Sequence, residues 1–432
     1  PTAAAAVAAG LVASDRVRVA DFLQLSHPGA DAIVGNPPYV RLRHLSAECR
    51  LAALRVSEEA LGAPMDPSGS LWMPFVLHAT ECLRPEGRVA LVLPYDFTYV
   101  RYARPLWDYL AQRFASLRIL RAHERLFPEI LQDVVILLAD GYGGRTNVVE
   151  FEAYETVHDL TTGKPAIAES IAIADVVRGE RAFLEALLPQ ALRVLMHERL
   201  VPATVRAREL VTFNIGYVAG DKNFFHPDRS TAETYGLPSR HLVPALTSAR
   251  ALRRAGIYTS DLKSEQVAQL YLPSADRQLE PGERAYVLHG EQEKVNDRYK
   301  CRIRKPWYVV PGVRVPDVCI SVFSERPTLF VNDGKYVASN SLLCGYLREG
   351  TATEMAARWF TSLTLLQCEL EVHALGGGVM VLVPREAGNI RLPRDVRIDH
   401  LNSVDTALTR GDTRLAFKAG DAAVLELSLI HI

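Results

Sequence analysis

The chain contains no C-x-x-C pair: its six cysteines (Cys49, Cys82, Cys301, Cys319, Cys344, Cys368) lie scattered. That argues against a zinc site and against a secreted disulfide framework, and fits a reducing cytoplasm. No stretch of about 18 uncharged apolar residues occurs, so no membrane span is expected. Neither charge is in excess: 49 Lys and Arg stand against 50 Asp and Glu. Indiscriminate nucleic-acid binding gains no support from that balance, and any such contact must come from local patches. There is no internal repeat, and no low-complexity segment beyond an Ala-rich start. That start, Pro1 to Ala13, has no initiating Met, basic lead or cleavage-type context, so it reads as a helix and not a signal peptide.

What is present is enough apolar residue, 48% of 432, for about two or three domains. The first part alternates strand and helix. Short β-type runs are expected at Arg16–Ala20 and Asp31–Gly35, the latter a buried strand through Ala32, Ile33 and Val34. Helices are expected at Ala47–Ala60, Leu71–Leu83 and Ala103–Phe114. The turn Arg84–Gly87 leads to an apolar strand, Arg88–Leu93, and Leu117–Arg121 and Val134–Ala139 could pair as an antiparallel edge. Strands alternating with helices predict a parallel, doubly wound α/β sheet. The pattern turns irregular near Gly141–Pro165, with a helix at Ala182–Arg199. From Val201 short β-like segments dominate, with one long helix at Glu354–His373. The expected division is therefore a catalytic-type domain over 1–145, a connector over 146–200, an α+β domain over 201–400 and a tail over 401–426.

The most informative segment is Asn36-Pro37-Pro38-Tyr39, at the end of the second expected strand. In a doubly wound sheet, ligands bind beyond the carboxyl ends of the strands. Asp21-Phe22 and Pro94-Tyr95 fall at the same kind of position. A carboxamide oxygen (Asn36) and a backbone carbonyl (Pro37) can accept both N–H bonds of an exocyclic amine and draw its lone pair out of conjugation. Two prolines stiffen the turn, and Tyr39 can stack on the ring. Methyl transfer to such an amine needs positioning and electrostatics, not a covalent nucleophile. Taken alone, the four residues could equally end a strand in a turn, and Asp21 alone reads first as a helix cap. Farther on, Arg298, Lys300, Arg302, Arg304, Lys305 and Arg314 form an acid-free run with Tyr299, Trp307 and Tyr308. Basic residues among aromatics suit phosphates and bases. A solvated strand face is an equal alternative.

The order of these segments resembles the gamma-class adenine-N6 DNA methyltransferases of bacterial restriction–modification systems. Asn36–Tyr39 is similar to their motif IV, Val19–Leu23 to motif III, Gly69–Phe75 with the following helix to motif V, and Val89–Tyr95 to motif VI. Arg125-Leu-Phe127-Pro and Val134–Leu138 are similar to motifs VII and VIII. The likeness is looser over Val201–Pro393, through Tyr299–Tyr308, Ala338–Ser341 and Leu375–Gly378. It implies a class I Rossmann-like sheet followed by a target-recognition domain, and S-adenosyl-L-methionine as cofactor. It further implies that Asn36, Pro37, Pro38 and Tyr39 form the catalytic turn. Tyr39 and Phe127 would stack on a flipped adenine. Asp21, Phe22 and Phe75 would hold the cofactor, and Arg298, Lys300, Arg302, Arg304, Lys305 and Trp307 would contact double-stranded DNA. A cognate restriction endonuclease, fused or separate, and a bacterial cytoplasmic, nucleoid-associated setting are implied with it.

The family's glycine-containing motif I and its ribose-binding acid are absent. The resemblance therefore implies a fragment whose first strands are missing and which is inactive as it stands. Residues 427–432 match the translation of a sequencing adapter and are expected to carry no function. Two other readings stay open. One is a protein-glutamine or rRNA amine methyltransferase, disfavoured by the long C-terminal half. The other is a DNA-binding specificity module that does no chemistry.

Overall fold

The structure is a computed structural model that describes residues 10, 13, 17, 19–26, 29–127, 132–252, 254–375 and 379–429. The expected helix at Pro1–Ala13 and strand at Arg16–Ala20 fall mostly outside the described residues. The chain divides into two compact units, Pro1–Gln190 and Ala191–Ile432.

The first unit is built on a mixed six-stranded sheet. In chain order its elements are β1 (Ala30–Gly35), α1 (Ala47–Leu61), α2 (Trp72–Glu81), β2 (Leu83–Pro94), α3 (Arg104–Ala111), β3 (Phe114–Ala122), β4 (Val134–Tyr142), β5 (Val148–Tyr154), β6 (Ile167–Ala172) and α4 (Ile173–Arg178). The strand order is β1-β2-β4-β3-β5-β6. β1 runs parallel to β2, and β3 parallel to β5; β4 lies antiparallel between β2 and β3. Hence β1, β2 and β3 all point their carboxyl ends to one edge of the sheet. Ser46 starts α1 by accepting the Cys49 N–H at 3.3 Å, and Pro105 sits in the first turn of α3, where a missing N–H costs nothing. The core holds fully buried Trp72, Phe97, Trp107, Phe114 and Phe151. Trp107 stacks on Phe97 at 4.3 Å and donates its indole N–H to the Phe97 carbonyl at 3.1 Å.

Four expectations for this unit change. β1 is not buried: it pairs only with β2 among the described strands, and Val34 is 83% exposed. The Arg84–Gly87 turn is a bulge inside β2, where Ala30 faces Leu83 but Ala32 already faces Arg88. Glu86 takes a left-handed φ of 64° there. β3 and β4 pair antiparallel as expected, but inside the sheet, because β5 and β6 continue it where a connector was expected. The expected helix at Ala182–Arg199 is broken into Ala182–Glu185, Gln190–Leu195 and a π-turn at Met196–Leu200.

The second unit is α+β. A four-stranded antiparallel sheet has the order Leu329–Val331, Val318–Ser321, Leu342–Leu347, Val211–Ile215. Two three-stranded sheets and one two-stranded sheet accompany it. The long helix expected at Glu354–His373 is two, Ala352–Trp359 and Ser362–Glu371. Phe360 leaves helical geometry and Thr361 caps the second helix by accepting the Thr364 N–H at 3.2 Å. Residues 401–426 are not a tail: helices Leu401–Thr409 and Thr413–Leu429 bury Leu401, Val404, Leu408, Ala416 and Phe417 in this unit's core. Gly420 lies so close to the Phe360 carbonyl that a Cβ there would overlap it. Among the described residues no helix is long and apolar enough to cross a membrane.

Candidate functional site

The turn Asn36–Tyr39 leaves the carboxyl end of β1 in extended, non-repetitive backbone. Pro37 is buried; Asn36 and Pro38 are exposed. Neither the Asn36 carboxamide nor the Pro37 carbonyl has a hydrogen-bond partner among the described residues. The turn is nevertheless fixed on its far side. Tyr39 donates its phenol to the Val92 carbonyl of β2 at 3.0 Å. Burial pushes that phenol up to about 12, so it stays a neutral donor across the working pH range. The next residues are tied to the segment ahead of α2. Val40 O accepts from Leu71 N at 2.8 Å and from the Ser70 hydroxyl at 3.0 Å, and Arg41 reaches the Ser68 carbonyl at 3.2 Å. Leu42 N–H closes the set on the Gly69 carbonyl at 3.0 Å. Two free acceptors are thus held on a turn whose remaining contacts are satisfied.

The carboxyl end of β2 supplies an aromatic and basic cluster. Arg121, at the end of β3, lies over the Tyr95 ring at 4.3 Å and donates to its phenol at 3.4 Å. Arg181 lies over Tyr99 at 4.4 Å, and Tyr99 donates to Asp96 at 2.7 Å. Cation–π contacts of this kind contribute about 0.5–2 kcal/mol each. Burial raises the pKa of both phenols. Sequence reasoning noted Tyr95 but missed Arg41, Arg121 and Arg181; Arg121, near the carboxyl end of β3, carried a local signal, whereas Arg181 follows helix α4 and carried none. Phe127 follows β3, 38% exposed, on a loop leaving the same sheet edge as Asn36. Pro128 lies outside the described residues.

Asp21, Phe22 and Phe75 come together. The Phe22 and Phe75 rings are 5.2 Å apart, and Phe22 meets His78 edge-on at 4.9 Å. Asp21 is exposed and caps a short 3-10 turn, accepting from Leu23 N–H at 3.1 Å and from the Gln24 amide at 2.8 Å. The cap reading and the binding reading are compatible, because each carboxylate oxygen keeps a second acceptor site. An apolar aromatic wall beside a carboxylate fits the adenine end of an adenosine-containing cofactor.

Half of the basic run of the second unit is occupied with its own fold. Arg298 pairs with the buried Asp221. Arg304 donates to the Ala219 carbonyl at 2.7 Å and also to the Val218 carbonyl. Trp307 packs on Phe224 at 5.0 Å and donates to Glu291 at 3.1 Å, and Arg314 lies over Tyr346 at 4.3 Å. Exposed side chains remain at Tyr299, Lys300, Arg302 and Lys305, on and beside a helical turn (Tyr299–Arg302), not on a strand face. Ser339 and Ser341 both donate to the Thr247 carbonyl, at 3.1 and 2.8 Å. Gly376–Gly378 lie outside the described residues.

Comparison with known proteins gives two matches to family models. Residues 180–425 match the C-terminal domain of the Type II methyltransferase M.Eco57I, and residues 16–127 match the Eco57I restriction-modification methylase. The Type II methyltransferase M.AccI of Acinetobacter calcoaceticus is 21% identical over 321 residues, covering 70% of this chain and 56% of that protein. Among solved structures, the type IIG restriction endonuclease BpuSI aligns at 12% identity and a TM-score of 0.38, over 93% of this chain and 55% of that one. The Type IIL restriction-modification enzyme MmeI, solved in complex with DNA, aligns at 11% identity and 0.49, over 91% and 54%. The chain spans about half the length of these relatives.

Proposed function

The chain belongs to the M.Eco57I family of Type II restriction–modification methyltransferases, and on that premise we propose that it carries the acceptor half of a site that methylates the exocyclic N6 amine of adenine in double-stranded DNA. The observation that carries this reading is the pair of unbonded acceptors, Asn36 Oδ1 and the Pro37 carbonyl, on a turn anchored by Tyr39 and Val92. Both amine N–H bonds donate to these two oxygens. The nitrogen lone pair then leaves conjugation with the ring and becomes available for attack; as the C–N bond forms, the methyl carbon's bond to sulfur breaks, and the nitrogen releases one proton to solvent. Tyr39, fixed at its phenol, and Phe127 hold the base by its faces. The base must leave the duplex to reach this turn, at a cost of a few kcal/mol, which aromatic stacking at about 1–3 kcal/mol per base offsets.

S-adenosylmethionine, held by Asp21, Phe22 and Phe75, would supply the electrophilic methyl group. Asp21 would accept from its adenine amine, and Phe22 and Phe75 would pack along the purine. The acceptor turn follows the carboxyl end of β1, while Asp21 and Phe22 precede that strand and Phe75 lies on α2; the chemistry proposed rests on alignment and electrostatics. The match to a Type II methyltransferase C-terminal domain over 180–425 favours a DNA target over a short amide or rRNA methyltransferase. A restriction endonuclease, fused or separate, is the partner this reading carries with it.

The test is nucleoside mass spectrometry, with methylation-sensitive sequencing, of DNA from a bacterial host expressing the complete gene. N6-methyladenine at one recurrent site is expected, and it disappears with Asn36→Ala. Methylated cytosine, unmodified DNA, or full modification by the Asn36→Ala protein overturns the proposal.

A further inference from the structure

We propose that a cavity in the second unit, about 720 Å³ in volume and bearing Arg250, Arg254 and Arg326, is a docking point for the sugar–phosphate backbone of DNA. This rests on the DNA reading above and names a surface different from the basic run Arg298–Lys305. Three guanidinium groups line the cavity against one carboxylate, Glu325. Among the described residues, none of the three makes an ion pair or a side-chain hydrogen bond. That contrasts with Arg298 and Arg304, whose guanidinium groups are spent on Asp221 and on backbone carbonyls.

The backbone is arranged around this charge. Arg254 holds a left-handed φ of 61°, a conformation that a side-chain-bearing residue rarely adopts. Its side chain runs past Gly411, where a Cβ would stand 3.3 Å from the Arg254 Nε. The segment is pinned at Ile257, whose N–H donates to Asp405 at 2.6 Å. Strained backbone persists where the surroundings over-determine it, and it clusters at ligand clamps. Ser324 also lines the cavity; its hydroxyl is shut off from solvent and has no hydrogen-bond partner among the described residues.

The remaining wall suits the sugar behind the phosphate. Thr413, which lines the cavity, begins the helix Thr413–Leu429, whose amino end is already matched by a carboxylate of its own. The helix's capping carboxylate, Asp412, accepts from Leu415 N–H at 2.8 Å. Phe323 is 58% exposed at the rim, and gives an apolar face for a deoxyribose or a base edge. Three free guanidinium groups and an apolar lip match a phosphodiester chain better than a free anion, which would leave Phe323 without a partner.

The experiment measures the affinity of the full chain for a fluorescent DNA duplex by anisotropy, over a series of salt concentrations. Each phosphate contact contributes about 0.9 to the slope of log K against log salt. The double variant Arg250→Ala/Arg326→Ala should therefore lower the slope by about 1.8 and weaken binding about sixtyfold at 0.1 M salt. Arg250→Lys/Arg326→Lys keeps the charge and should keep the slope, which separates a lost contact from a damaged fold. Arg229→Ala, in an exposed pair with Glu233, should change nothing. A parent-like slope in the double alanine variant overturns this inference and leaves the methyltransferase reading standing. Failure of the parent chain to bind duplex overturns both. Saturation of the cavity by inorganic phosphate with DNA affinity unchanged assigns it to a free anion, and also overturns the proposal.

Discussion

Replacing Tyr39 by phenylalanine removes one hydroxyl and leaves the ring. The lost bond is the 3.0 Å donation to the Val92 carbonyl of β2. A single hydrogen bond of this kind contributes about 0.5–1.5 kcal/mol net. The first unit runs to Gln190, and in a unit of that size about 1 kcal/mol moves Tm by about 2–4 °C. Tyr39→Phe should thus lower the Tm of that unit by about 3 °C, followed by calorimetry. Base capture should be nearly untouched, because the ring does the stacking. Tyr39→Ala removes ring and hydroxyl together. It should lower Tm further and weaken capture by about 1–3 kcal/mol, roughly five- to 150-fold. Capture is read from the fluorescence of 2-aminopurine at the target position, once sequencing has located the site. If Tyr39→Phe loses capture as fully as Tyr39→Ala, the hydroxyl and not the ring is the working group. The stacking argument then fails.

Other perturbations separate the remaining claims. Asn36→Ala in the complete protein should cut methyl transfer, followed with a radiolabelled methyl donor, by about a hundred- to a thousandfold, the cost of deleting one group in a preorganised electrostatic site, while DNA affinity stays put. Phe22→Ala should weaken binding of S-adenosylmethionine in titration calorimetry, by way of the lost 5.2 Å contact with Phe75. In the second unit, burial disfavours charge on Glu283, but hydrogen bonds from Glu280 N–H, His241 and Tyr271 outweigh it and hold its pKa below 4.5. A lowered folded pKa stabilises above the unfolded value, and that stability is lost as pH falls through the folded one. Melting followed by circular dichroism from about pH 6 to about pH 3.5 should therefore show a steeper loss for the parent than for Glu283→Gln. Arg304→Ala should destabilise the same unit by about 3 kcal/mol or more, through two charge-assisted bonds to the Val218 and Ala219 carbonyls; chemical denaturation measures it.

The sequence by itself determined the local elements and the chemistry-bearing turn. Strand β1, helices α1 to α3 and strands β2 to β4 were legible because apolar periodicity, caps and prolines act over a few residues. Asn36–Tyr39, Asp21-Phe22 and Phe75 were legible for the same reason. Asn36–Tyr39 follow a strand end, Asp21-Phe22 open a short 3-10 turn and Phe75 lies on a helix. The tertiary structure alone decided which partners those residues meet. That β1 pairs only with β2 among the described residues, with Val34 exposed, and that β5 and β6 continue the sheet, depends on strand pairing between distant segments. The same holds for Arg298 and Arg304, which look free in a basic run until folding brings Asp221 and two carbonyls to them. Conversely, Arg250, Arg254 and Arg326 are unremarkable in sequence and converge only when strand Phe323–Ser324 and helix Thr413–Leu429 are packed beside one loop. A residue's type and its local conformation are written within a few neighbours. Whether its charge is spent or left for a ligand is settled by groups tens to hundreds of residues away.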